Sequence, residues 1–377
     1  MSQPSRPDLQ PTSRIAGVDG LRGVAVLLVL LHHFVEMQLP RKIGSWQAYL
    51  AASLGLSFSG VDLFFVISGF LIGGILLDNQ GAPNFYQTFY VRRALRIIPL
   101  YYLFLLICWA VPGRVPGVSQ VTYPFGSYLS FFCNFSMAAG NMWDAGWPAL
   151  AWSLAVEEQF YLVFPLLVRA CSRKTLLGLV LGALVISPVL RVSILHFTPQ
   201  YSLATHILPL CRMDCLAFGV LAAQAVRYER TRRWLEANSM VPGYFALTLL
   251  PILAYLTLSR AAIQSLPMAT FGYTTLGLFY TAVLLAVLYR KPGFLYWFCN
   301  TKPLVFVGGI SYFIYLFQGV VGWMTFRAFG HDTISLCSLT DVSLFALSVI
   351  AIAGIGALSW ILFESRLIDL GRNFRYQ

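Results

Sequence analysis

Four ionisable groups interrupt an otherwise apolar stretch at residues 15–34, IAGVDGLRGVAVLLVLLHHF: Asp19 and Arg22 near its start, and His32 and His33 near its end. A guanidinium binds phosphate or carboxylate through a planar fork, and an imidazole exchanges protons near neutral pH. On a helix the eleven-residue separation of Arg22 and His33 returns both to one face after about three turns, yet leaves them about 16 Å apart along the axis. They cannot touch, but they can line one passage, with Arg22 near a headgroup layer and His33 near mid-membrane. His32 points about 100° away from His33 and is expected to pack.

Other candidate groups recur at intervals. Asp62 stands in GVDLFFVISGFLI, a carboxylate in an apolar run that needs a cationic or hydrogen-bonding partner. Ser68 and Gly69 of that run suit close helix packing. Arg93 and Arg96, spaced i, i+3, project to one side of a helix and suit a polyanion held through bidentate forks. Glu157 and Glu158 are consecutive, so one can face a cavity while the other meets a second helix. Arg212 and Asp214 are expected to be structural, neutralising each other, with Glu157 a second partner for Arg212. Cys211 and Cys215 share a helix face, but no further pair completes a metal set, so no metal is expected.

These groups must be positioned by helices in lipid. Of 377 residues, 58% are apolar and 11% charged, against about 25% charged in soluble domains. Apolar spans fall near 17–39, 56–77, 94–111, 152–170, 175–195, 207–226, 241–258, 270–289, 304–326 and 341–363. Residues 126–139 are apolar but short, an interfacial or re-entrant piece. The expected fold is therefore all-α, a polytopic membrane protein of about ten spans plus that segment. Its parts are a disordered tail at 1–14, a membrane domain at 15–365 and a basic tail at 366–377.

With the short segment not crossing and the N-terminus cytoplasmic, 19 of the 26 Lys and Arg face inward and six outward. Both termini are then cytoplasmic. The polar start argues against a cleavable signal. The net charge of +11 lies between apolar spans and not on one soluble face, so a nucleic-acid partner is not expected.

Four motifs, in order, resemble the acyltransferase-3 family of integral membrane O-acyltransferases. They are Asp19-Gly-Leu-Arg22-Gly followed by His33; Asp62-Leu-Phe-Phe-Val-Ile-Ser-Gly-Phe-Leu-Ile; Arg93-x-x-Arg96-Ile-x-Pro-x-Tyr; and Trp152-Ser-Leu-x-Val-Glu157-x-Gln159-Phe-Tyr. Echoes at Arg212-x-Asp214, Ser311-Tyr312-x-x-Tyr315-Leu and Phe363-Glu364 extend the likeness. The resemblance implies transfer of an acyl group, usually acetyl from acetyl-CoA, to a hydroxyl of an extracytoplasmic or lipid-linked saccharide. It also implies that Arg22 and His33 match the family's Arg-x10-His signature, and Arg93 and Arg96 its paired arginines. Two positions depart from the pattern: Gln318 stands where many members have histidine, and Glu364 lacks the following basic residue and proline. No esterase-like soluble domain is expected after residue 377.

On this reading Arg22, Arg93 and Arg96 hold the donor's phosphates, and neutral His33 is the general base on the acceptor hydroxyl. Glu157 orients the imidazole or stabilises its charged form, with Asp19, Asp62, Gln159, Arg212 and Asp214 in support. No cofactor is bound permanently; acyl-CoA is the donor substrate. The partners are acyl-CoA, the saccharide and membrane lipids, in a bacterial inner membrane. A covalent acyl-enzyme route stays open. The alternative from another class is a proton-coupled transporter, against which the two halves show no repeated hydropathy.

Overall fold

Backbone amides in hydrocarbon find partners only within their own helix or a closed barrel. This chain takes the helical course. It is a computed structural model that describes residues 16–39, 45–111, 121–290, 292–331 and 334–377, and among them there is no strand. The first half runs α1 (Ala16–Leu31), α2 (Trp46–Ser53), α3 (Gly60–Asp78), α4 (Phe85–Ala110), α5 (Phe125–Leu129), α6 (Cys133–Gly140), α7 (Ala151–Ala170), α8 (Arg173–Phe197) and α9 (Ala204–Ile207). The second runs α10 (Pro209–Ala225), α11 (Glu229–Ala237), α12 (Val241–Leu258), α13 (Tyr273–Tyr289), α14 (Phe294–Cys299), α15 (Lys302–Gly309), α16 (Ser311–Ala328), α17 (Leu339–Ser359) and α18 (Ser365–Arg372).

Among the described residues, nine helical stretches are long and apolar enough to cross a membrane, or ten if α15 and α16 form one span bent by 75°. The span expected at 304–326 is this broken pair, interrupted after Gly308 and Gly309. The segment expected not to cross is α5 and α6, each too short to span. Gln159 of α7 ties them down, its amide donating to Phe131 O at 2.7 Å and to Asn134 Oδ1 at 3.0 Å.

The expected tail at 1–14 lies outside the described residues, as do Arg41, Lys42, Arg114 and Lys291 of the charge count. Residues 366–377 do not hang free. Arg92 Nε donates to Phe374 O at 2.7 Å and Asn84 Nδ2 to Arg375 O at 2.8 Å, docking the chain end on α4.

Two glycine contacts set the core. Gly20 of α1 faces the Cys299 carbonyl, and Gly308 of α15 faces the Asp19 carbonyl, too closely for any Cβ. The glycines around Arg22 thus seat α1 against α14 and α15. Gly69 of α3 lies against Leu216 O, and Gly219 of α10 against Val66 O, so the α3 and α10 backbones touch.

That crossing carries the buried charges. Arg212 donates to Asp62 at 2.5 Å, and Arg191 to Asp214 at 2.9 Å, all four side chains fully buried. This corrects one expectation, since Arg212 pairs with neither Asp214 nor Glu157, and it makes Arg191 a core residue of α8. Arg191 also donates to Ala269 O and Cys211 O, which accounts for a guanidinium in that position. The Cys215 thiol lies 3.3 Å from Asp62 Oδ1.

Candidate active site

Five of the sequence-predicted residues, Arg22, Arg93, Arg96, Glu157 and His33, divide between two cavities, whereas Asp19, Asp62, Gln159, Arg212 and Asp214 line neither. The smaller, about 100 Å³, is walled by Arg22 of α1, Arg93 and Arg96 of α4, Glu157 and Tyr161 of α7, and Ser68 of α3. The larger, about 890 Å³, is walled by His32, His33, His206, Trp143, Trp152 and Gln318, among others. Val61 and Tyr315 belong to both walls. Tyr315 is held there by hydrogen bonds of its hydroxyl to Ser153 and to Leu150 O, and its ring meets Phe64 edge-on. Arg22 and His33 therefore line successive chambers with a shared septum.

In the arginine chamber Glu157 is the only carboxylate of the described wall. Ser68 donates to its Oε1 at 2.6 Å, and Tyr161 donates to Ser68 at 3.1 Å. Arg93 lies 5.4 Å above the Tyr161 ring, and Arg22 is 3.9 Å from Asp19. Arg93 and Arg96 have no carboxylate within ion-pair distance among the described residues. Three guanidiniums facing one carboxylate leave an excess of positive charge and free forks, a site for an anion. Ser68, expected only to pack, is instead a hydrogen-bond donor of this chamber.

Glu157 thus stands with the arginines and not beside His33. The role of orienting that imidazole falls to the backbone: His33 Nδ1 lies 2.9 Å from Val29 O. A carbonyl only accepts, so Nδ1 carries the proton and Nε2 keeps its lone pair. Nε2 is then a ready proton acceptor.

His32, expected to point away from His33 and pack, lines the large chamber with it, the two ring centroids 5.0 Å apart where α1 passes into a π-helical stretch at His32–Glu36. His32 Nδ1 is 3.1 Å from Glu36 Oε2, close enough for charge attraction but not aligned as a hydrogen bond.

The sequence reading missed His206. It sits at the break between α9 and α10, where Pro209 starts a new helix, and Phe58 packs edge-on against both it and His32. Its one signal was that position, a histidine three residues before a helix-starting proline. Tyr315 was visible only within a motif echo.

Comparison with known proteins bears on what the chambers are for. A family model described as an acyltransferase domain, acyltransferase-3, matches residues 15–364. The chain belongs to this family. A Bacillus subtilis protein named as a candidate peptidoglycan O-acetyltransferase, YrhL, is 28% identical over 332 residues, 81% of this chain and 48% of its own length. The O-acetyltransferase OatA of Staphylococcus aureus is 24% identical over 327 residues, 81% of this chain and 50% of its own length. The chain spans about half the length of these curated relatives. No solved structure matches.

In this acyltransferase-3 chain the family-pattern residues have definite neighbours. Arg22, Arg93 and Arg96 meet in one chamber, and His33 opens on the next. Asp62 and Arg212 form a buried pair between α3 and α10, outside both chambers. Gln318, where many members carry histidine, lies in the wall of the large chamber.

Proposed function

We propose that this integral membrane protein transfers an acetyl group from an acyl-CoA to a hydroxyl of an extracytoplasmic saccharide, with peptidoglycan glycan strands the first acceptor to test. One observation carries the reading: an arginine-walled chamber and a histidine-walled chamber share Val61 and Tyr315. Guanidiniums suit the donor's phosphates, and an imidazole with a free Nε2 suits an alcohol. The names of the relatives support acetyl as the group and a cell-wall glycan as the acceptor. The 19-to-6 split of basic residues supports cytoplasmic termini and a donor chamber on the cytoplasmic side.

The small chamber is too narrow for a nucleotide, so the adenosine portion stays at the surface and the pantetheine arm enters past Arg22, Arg93 and Arg96. The thioester is brought to the septum. His33 Nε2 takes the hydroxyl proton as the oxygen attacks the thioester carbonyl. The C–S bond breaks, and the departing thiolate takes the proton from the imidazolium. The ester leaves on the acceptor side and CoA on the donor side.

The test is purified protein in proteoliposomes with radiolabelled acetyl-CoA supplied on one face and glycan fragments on the other. Label should appear in alkali-labile ester on the glycan. Tight CoA binding without ester formation on any saccharide would overturn the reading.

A further inference from the structure

The large chamber contains hydrogen-bond acceptors that the proton-transfer step does not use. His206 is 5% exposed and faces this chamber. Its Nδ1 lies 2.6 Å from the Tyr273 hydroxyl, and that hydroxyl lies 2.6 Å from Ile263 O. Tyrosine has one proton, and the carbonyl can only accept it. Tyr273 therefore donates to Ile263 and accepts from His206, which fixes the proton on Nδ1. Nε2 is left as a bare acceptor, with no hydrogen-bond partner among the described residues.

Gln318 repeats the pattern. It is 1% exposed in the same wall, and its amide NH₂ donates to Tyr315 O at 3.1 Å. That contact fixes the amide orientation and leaves Oε1 without a partner. Gln318 Oε1 is a buried acceptor without a partner, and His206 Nε2 is an unpaired acceptor of a residue in the same chamber wall, so a ligand that brings donors there would satisfy both. Alcohol groups of a polyol are such donors. Trp143 and Trp152, whose rings lie 5.7 and 4.7 Å from that of His206, add apolar faces of the kind that pack on sugar C–H surfaces.

We infer that His206 and Gln318 form an acceptor subsite that binds hydroxyls of the saccharide other than the one acylated, and so selects which hydroxyl reaches His33. His206 is here a positioning residue: it accepts a hydrogen bond, and no proton leaves the sugar at it. The inference rests on the proposed saccharide acceptor, and it deepens that reading by assigning the choice of hydroxyl. Arg212, its guanidinium 3.9 Å from the Tyr273 ring centroid, holds the far side of the Tyr273–His206 pair in place.

The experiment compares wild type with His206→Leu, His206→Gln and Tyr273→Phe in proteoliposomes. It measures CoA affinity, direct binding of soluble peptidoglycan glycan fragments, acceptor KM and kcat, and the ester position by NMR. His206→Leu should weaken glycan binding and raise acceptor KM about tenfold, the loss of one hydrogen bond to an unpaired group. It should also spread the ester over more than one hydroxyl while CoA affinity stays unchanged. His206→Gln returns an acceptor oxygen and should recover most of the affinity. Tyr273→Phe frees the tautomer and should fall between. Unchanged acceptor KM and a single, unchanged ester position in a CoA-binding His206→Leu protein would overturn the inference. If wild type binds glycan through His206 but forms no ester, the transfer reading fails and the subsite stands. If wild type binds no glycan, the subsite fails.

Discussion

Replacing His33 by alanine tests the catalytic geometry most directly. The side chain is only partly buried and lines a cavity already about 890 Å³ in volume, so truncation extends existing space and opens no new void in packed core. Folding should be little affected, and the loss should be chemical. A positioned general base contributes about 10²–10⁴-fold, or about 2.7–5.4 kcal/mol at 1.36 kcal/mol per tenfold. His33→Gln is the sharper variant. Its amide can still donate toward Val29 O, but its oxygen is no base at neutral pH, so it should lose as much as alanine. His32→Ala should cost far less, because no proton position is fixed on His32 by a bond like that to Val29 O. Single-turnover transfer from labelled acetyl-CoA, at equal amounts of CoA-binding protein, reads the chemical step alone. A His33→Ala protein that keeps more than about a tenth of the wild-type rate would refute the assignment, as would a larger loss in His32→Ala.

Three further outcomes follow from the chambers and the core. Arg93→Ala and Arg96→Ala should each weaken CoA binding by about 1.5–3 kcal/mol in a calorimetric titration, with lysine restoring little because it lacks the fork; unchanged affinity would make them topological anchors. Glu157→Gln removes the carboxylate from among three guanidiniums, so CoA should bind more tightly by the same titration, and weaker binding would mean the carboxylate orients the arginines. Asp62→Asn strands the fully buried Arg212 and should cost about 3–5 kcal/mol in detergent unfolding, whereas Asp62→Asn with Arg212→Met should recover much of it.

The spans were legible because hydrocarbon leaves an apolar run of about twenty residues one conformation. The same logic read residues 126–139 as non-crossing, and α5 and α6 are short helices there. Arg22, Arg93 and Arg96 could be grouped from motif spacing because each lies on a regular helical segment at one level. His32, expected to pack, lines the large chamber beside His33, because helix phase does not say how wide a cavity is. Asp62, Asp214 and Glu157 each had several cations within plausible reach, and helix spacing says nothing about which helix lies alongside. The α3–α10 glycine contact decided it, putting Arg212 against Asp62 and leaving Asp214 to Arg191. His206 belongs to no periodic face, being at a helix break, so no pattern could single it out.

Val61 and Tyr315 have an electrical consequence. On the proposed arrangement, with water in a cavity on each side, the low-dielectric part of the barrier would shrink to the layer between the cavities, and the membrane voltage would fall mainly across these two side chains. Moving a unit charge through that voltage involves about 2.3 kcal/mol per 100 mV. On the proposed reaction, an acetyl group bound first to sulfur and then to oxygen is neutral at both stations, so its passage would do no electrical work. A phosphate or a thiolate crossing the same layer would. The septum would then act as an insulator that acetyl ignores, and the rate of transfer should be nearly independent of membrane potential, while any ion leak through a widened septum, as in Tyr315→Ala, should depend on it.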